Sequence, residues 1–152
     1  MFSRRRSREF LLQSLYSRHE LGDAFVREDF LDSYFDADNI ASLDMAYVDT
    51  MEKAILAHEL ELISIVQTLA PKFELATIPV MHIMIIMIAL TEMLYASSAD
   101  TPEAVSVNEA IELTKRFSDD QGRMFINGAL STFLKNREKV MLSAKETEFR
   151  IF

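Results

Sequence analysis

Cysteine and tryptophan are absent from these 152 residues, and glycine and proline occur only three times each. Without cysteine there is no disulfide framework and no thiolate metal site, which fits a reduced, cytoplasmic setting. So few glycines and prolines exclude a hairpin-rich β fold. The three histidines, His19, His58 and His82, are scattered, and none has a companion at metal-ligand spacing. Long apolar runs are also lacking. The strongest, PVMHIMIIMIAL over residues 79–90, is uncharged but falls short of the roughly 18–20 residues that span a bilayer. Pro79 at its start and Glu92 after it mark a buried core helix, so no membrane role is expected. Nor is a secretory leader, because Glu9 and Gln13 interrupt the segment that follows the first arginines. Catalytic signatures are missing in the same way: no Gly-rich phosphate loop, HExxH, GxSxG or calcium loop. Carboxylate pairs such as Glu59/Glu61 and Asp119/Asp120 read as solvated faces or first-turn acids. The chain is expected to be neither an enzyme nor the holder of a metal or cofactor.

What is present is helix. The chain is 49% hydrophobic, enough for a core, and its length suggests one domain over residues 1–152. Leu11, Leu12, Leu15, Tyr16 and His19 fall on one arc of a first helix over residues 4–21, which Gly22 ends. A short helix near 26–35 stops at DADN. Another starts after Ser42 and either runs on or breaks near His58 into ELELISIVQTLA, ended by Pro71. The Met-rich helix from Pro79 to about residue 96 follows, with proline in its first turn. SVNE at 106–109 is a capping-box pattern in which Ser106 caps and Glu109 reaches back; SDDQ at 118–121 repeats it. A last helix is expected near 137–148. Seven or eight helices make an all-α domain.

Charge raises the functional question. The net charge is −8, yet residues 1–18 hold five Arg against one Glu. Lys135, Arg137, Lys139, Lys145 and Arg150 make a second basic run near the end. An acidic total argues against broad nucleic-acid binding but permits a local basic site. Arginine at a helix N-terminus opposes the helix dipole, so folding alone would prefer acids there. Arg4, Arg5, Arg6 and Arg8 therefore suggest an anion site. Arginine forks suit phosphate, and Tyr16 on the same arc can stack on a base of single-stranded RNA. The competing reading is a basic tail, or arginines paired with the chain's own acidic surface.

Three segments carry a family resemblance. RRRSREFLLQSLY, residues 4–16, resembles the opening of the NusB family of bacterial transcription antitermination factors. MIALTEMLY, residues 87–95, and VSVNEAIELTKRFSDDQGRMFINGAL, residues 105–130, continue it in order. The resemblance implies a fold of two packed helical bundles. It implies binding of single-stranded boxA-like leader RNA of ribosomal RNA transcripts, together with the small-subunit ribosomal protein NusE. The pair would help RNA polymerase in its antitermination complex to pass terminators. On this chain it assigns RNA contacts to Arg4, Arg5, Arg6, Arg8, Tyr16, Phe117, Gln121, Arg123 and Phe125, and a partner surface to His82 and Glu92. Asn108, Glu109, Asn127 and Gly128 also match and read as structural: Glu109 as a cap, Gly128 as a point of close helix approach. Met87, Glu103, Gln121 and Met124 depart from the pattern, standing where the family has Arg, Tyr, an acid and Lys; Arg123 can replace that last charge. These losses of charge motivate a second reading, a protein-interaction module on the same fold with little RNA affinity. The Met-rich apolar surface leaves room for a homodimer face.

Overall fold

A computed structural model describes residues 2–34, 36–96 and 101–152. Among the described residues there are nine α-helices: α1 (Arg4–Leu21), α2 (Arg27–Tyr34), α3 (Ala37–Ala41), α4 (Met45–Ala57), α5 (Glu59–Leu69), α6 (Val80–Leu94), α7 (Glu103–Phe117), α8 (Asp120–Lys135) and α9 (Arg137–Ser143). The all-α expectation holds, but with nine helices among the described residues rather than seven or eight, because the short α3 forms where only a helix end was expected. The Met-rich α6 is the shared axis. It packs against α1, α4, α5, α7 and α8. Every residue from Ile83 to Met93 is buried, so the uncharged run is core on all faces, as a fully apolar helix must be. Among the described residues no helix is long and apolar enough to cross a membrane. Met87 is completely buried, so this departure from the family pattern fills the core and removes no surface charge.

Several helix ends follow the sequence, and others correct it. Gly22 ends α1 with φ 57°, a conformation that glycine adopts without penalty. The helix after Ser42 begins at Met45, where the Asp44 side chain accepts the Tyr47 N–H, and the break falls at His58. DADN does not only end a helix: Asp36 caps the short α3 by accepting the Asn39 N–H. The SVNE capping box does not form. Helix α7 starts four residues earlier, after Pro102, so Ser106 and Glu109 lie inside it and their side chains turn to other helices. At SDDQ the cap is Asp119, one residue after Ser118; its carboxylate accepts the Gly122 N–H at 2.8 Å. Gly128 is no helix contact, because a Cβ there would meet nothing within 4 Å.

The last helix ends at Ser143, earlier than expected, because the chain beyond it is anchored elsewhere. Residues 144–152 run without helix back to α5 and α1. The buried Glu59 carboxylate accepts the backbone N–H groups of Ile151 at 2.7 Å and Phe152 at 3.0 Å, and the Arg150 guanidinium at 2.9 Å. His19 Nδ1 lies 2.6 Å from the Ile151 carbonyl, and Ser64 donates to the Lys145 carbonyl. Glu59 is thus a buried tail anchor rather than a solvated acid.

Candidate nucleic-acid interface

The basic turn of α1 is fixed from below. Ser3 caps the helix by accepting the Arg6 N–H, and its own N–H donates to the Ser42 carbonyl at 2.7 Å. Ser7 then accepts the Asp44 N–H at 2.8 Å. These bonds tie the start of α1 to the start of α4. No acid stands in the first turn of α1, so acceptors come from other elements. Arg4 reaches Asp44 at 3.3 Å, with its guanidinium 4.2 Å from the centre of the Tyr47 ring. Arg5 forks onto Glu109 of α7 at 3.0 and 3.1 Å. Arg6 donates to Asn39 at 2.9 Å. Arg4 and Arg5 keep 44% and 59% of their side chains exposed. Their acceptors Asp44 and Glu109 are more covered, at 21% and 16%, so each pair opens to solvent on its arginine side, where a phosphate can approach the fork. The hydrogen bond and charge of Glu109 hold the Arg5 pKa above its ordinary value.

Arg8 behaves differently. Its side chain is 4% exposed and forks onto Glu92, 3% exposed, with both N–O distances 2.7 Å. The Tyr47 hydroxyl donates to the same carboxylate at 3.0 Å and Ser106 donates at 3.3 Å. Glu109 approaches Arg8 at 3.8 Å. The network joins α1, α4, α6 and α7. Burial opposes the guanidinium charge, but the hydrogen bonds and charge of Glu92 outweigh it and hold the Arg8 pKa above its ordinary value. Burial, with Glu92 adding to it, pushes the Tyr47 hydroxyl far up, so it remains a donor. Two residues that the sequence sends to separate surfaces thus meet in the core. Both side chains are buried and committed to each other, unlike the exposed forks of Arg4 and Arg5.

Arg5 and Arg6, but not Arg4, line a cleft of ≈ 530 Å³ with Glu9, Gln13, Asn39 and Arg116. Arg116, in the last turn of α7, was not anticipated. Its guanidinium lies 5.6 Å from the centre of the neighbouring Phe117 ring and 3.7 Å from Glu9. The signal was present in TKRF, where a cation directly precedes the aromatic residue. Tyr16 is 11 residues beyond Arg5 on α1, about 16 Å along the axis, and does not line the cleft. It is exposed, and its pKa is raised by a hydrogen bond to Glu20.

A second group forms at the α7–α8 turn. His82 of α6 lies 2.7 Å from Ser118 Oγ and presents its ring edge-on to Phe125, centroids 6.0 Å apart. Gly122 makes room for this contact: a Cβ would stand 2.6 Å from His82 Nε2 and would also collide with Ser118 Oγ. Burial lowers the His82 pKa, with Asp119 opposing the shift. His82 therefore braces the segment between Phe117 and Phe125. Both phenylalanines are half-buried, whereas Gln121 is exposed and Arg123 pairs with Asp120 at 3.2 Å. On its other side Phe125 stacks on Phe73, with centroids 5.6 Å apart and planes 22° apart.

The NusB family model matches residues 5–135, which holds both groups. The chain belongs to the NusB family. It is 35% identical to the transcription antitermination protein NusB of Clostridium perfringens over 138 residues, 90% of this chain and 99% of that protein. The NusB proteins of Finegoldia magna and Lactiplantibacillus plantarum are 29% and 33% identical, covering 92% and 89% of this chain and 99% and 96% of theirs. The NusB match ends at 135, so the anchored tail lies beyond it. Phe73, Glu109 and Gly122 are the further residues that sequence reasoning left without a site role.

Proposed function

We propose that this protein is an RNA-binding transcription antitermination factor. It holds single-stranded, boxA-like RNA, acts with the ribosomal protein NusE, and serves the antitermination complex of RNA polymerase in the cytoplasm. The observation that carries this reading is the cleft of Arg5, Arg6 and Arg116, gathered from α1 and α7 in a chain of net charge −8. Three guanidinium groups meet around one cleft whose lining holds a single acid, Glu9. Arg4, Arg5, Arg6 and Arg116 supply phosphate contacts, and Phe117 and Phe125 supply ring surface, with Gln121 and Arg123 between them. Tyr16 adds a base contact only if the strand continues along α1. His82 supports the aromatic segment; a partner surface must use its neighbours rather than Glu92. The chemistry in this reading is binding.

Reversing Arg5 and Arg6 to Glu tests this in a fluorescence anisotropy titration. The expected result is loss of RNA binding with an unchanged far-UV circular dichroism spectrum. Unchanged binding would remove the cleft from the account. The second reading, a protein-interaction module, is favoured by one observation: Glu109 and Asp44 already occupy the forks of Arg5 and Arg4. It predicts NusE pairing without RNA affinity.

A further inference from the structure

The chain leaves α9 at Ala144 in extended conformation and crosses to α5 and α1. Its seat there is built around one acid. Glu59 opens α5 and is 3% exposed. Among the described residues, the donors to its carboxylate all come from this segment: the Arg150 guanidinium and the consecutive N–H groups of Ile151 and Phe152. Ile151 is buried, and Phe149 and Phe152 rest against the core. A buried carboxylate costs free energy unless donors meet it, so the helical body holds an acid whose donors an extended chain supplies. The seat is not filled tightly. Between Lys145 and Arg150 the Phe149 N–H turns back to Thr147 Oγ at 3.1 Å instead of reaching α5. Open clefts of ≈ 420 and ≈ 360 Å³ meet at Ser64 along the segment, and the like charges of Glu61 and Glu146 line the first. A segment anchored at its ends beside unfilled space opens at lower free energy than the helices beneath it.

We propose that residues 145–152 are a releasable strap that fills, in cis, a peptide-binding groove between α5 and α1. The occupant that displaces the strap is an extended segment of a partner protein with the strap's own chemistry: an arginine followed by an aliphatic and an aromatic residue. Glu59 holds the arginine and two backbone N–H groups, and the buried site of Ile151 takes the aliphatic side chain. Main-chain bonds of this kind give affinity, and side-chain sites give specificity. Tethering keeps the strap at high local concentration, so a free segment enters when it outcompetes the strap. Exchange of tails between two copies of this chain gains no contact that each copy does not already have, which makes a second copy the weaker occupant. The groove ends at His19, whose ring lies 6.4 Å from that of Tyr16, so a partner that lifts the strap also meets the exposed Tyr16 of α1. None of this depends on RNA binding.

The test adds a fluorescein-labelled peptide of residues 145–152 to the full chain and reads its anisotropy. The wild type, its groove filled, should bind the peptide weakly. Arg150→Glu with Ile151→Ser in the chain should release the strap, seen as faster trypsin cleavage after Lys145, and tighten peptide binding about tenfold or more. Glu59→Gln added to that chain should cancel the gain, and a peptide carrying Arg150→Glu should not bind. A released strap with no gain in peptide binding would overturn the proposal. So would a strap that the two substitutions do not release. So would a variant whose circular dichroism shows it unfolded, since the segment would then be part of the core. A wild type that light scattering shows to be a dimer, with Glu59→Gln a monomer, would give the groove to a second copy and overturn the partner.

Discussion

Replacing Glu92 by Gln should destabilise the protein by about 3–5 kcal/mol, because it strands the Arg8 charge in a buried site. Arg8 and Glu92 are 4% and 3% exposed, and the fork between them has two contacts of 2.7 Å, so water does not replace the lost carboxylate. With an unfolding entropy of about 2.1 cal/mol/K per residue, the whole chain loses roughly 0.32 kcal/mol for each degree, so the cost corresponds to about 9–16 °C in Tm. A thermal melt followed by circular dichroism measures it. Arg8→Met combined with Glu92→Gln should recover most of the loss. The double variant removes the stranded charge, and Gln still accepts from the Tyr47 hydroxyl, which otherwise loses its acceptor. A shift below about 2 °C for Glu92→Gln is what a surface substitution gives. That result would refute the buried network and return Glu92 to the surface.

Three other outcomes follow from the same geometry. Glu109→Gln should free the Arg5 fork; RNA affinity should rise, and the slope of log affinity against log salt should steepen by roughly 0.7 for one phosphate gained. Weaker RNA binding would mean that Glu109 positions Arg5 rather than competing for it. His82 has its pKa lowered by burial from 6.5, so the unfolded chain takes up its proton first and stability should fall as pH drops through 6.5 and below. Urea titrations across that range should show this fall, reduced in His82→Gln. Glu59→Ala leaves the buried Ile151 N–H without its acceptor; it should cost about 1–3 kcal/mol and expose the tail to trypsin at Lys145 and Arg150.

Helix positions were legible where one local signal acted alone. The Leu11–Leu15 arc and the uncharged run of α6 needed only periodicity and apolarity, and both are core. Capping patterns failed where tertiary partners outbid local ones. Ser106 and Glu109 had the spacing of a box, but a buried carboxylate and an exposed arginine took their side chains. The arginine cluster was legible as a cluster, yet not its division. Arg8 is three residues from Arg5, nearly one turn, and that small rotation separates a buried ion pair from an open fork. Arg116 joins the cleft from a helix more than a hundred residues away, a proximity that no spacing rule contains. The tail gave no signal because, apart from the Arg150 guanidinium, its anchors are backbone groups of residues 145–152, and periodicity reports side chains.

Whether the arginine cleft holds RNA is measured most directly by anisotropy of a short boxA-like single-stranded RNA titrated with this protein, alone and with NusE, at two salt concentrations. The predicted result is binding that weakens steeply with salt and tightens when NusE is added. No RNA binding at either salt, with NusE pairing intact, would contradict it and leave the protein an interaction module on the same fold.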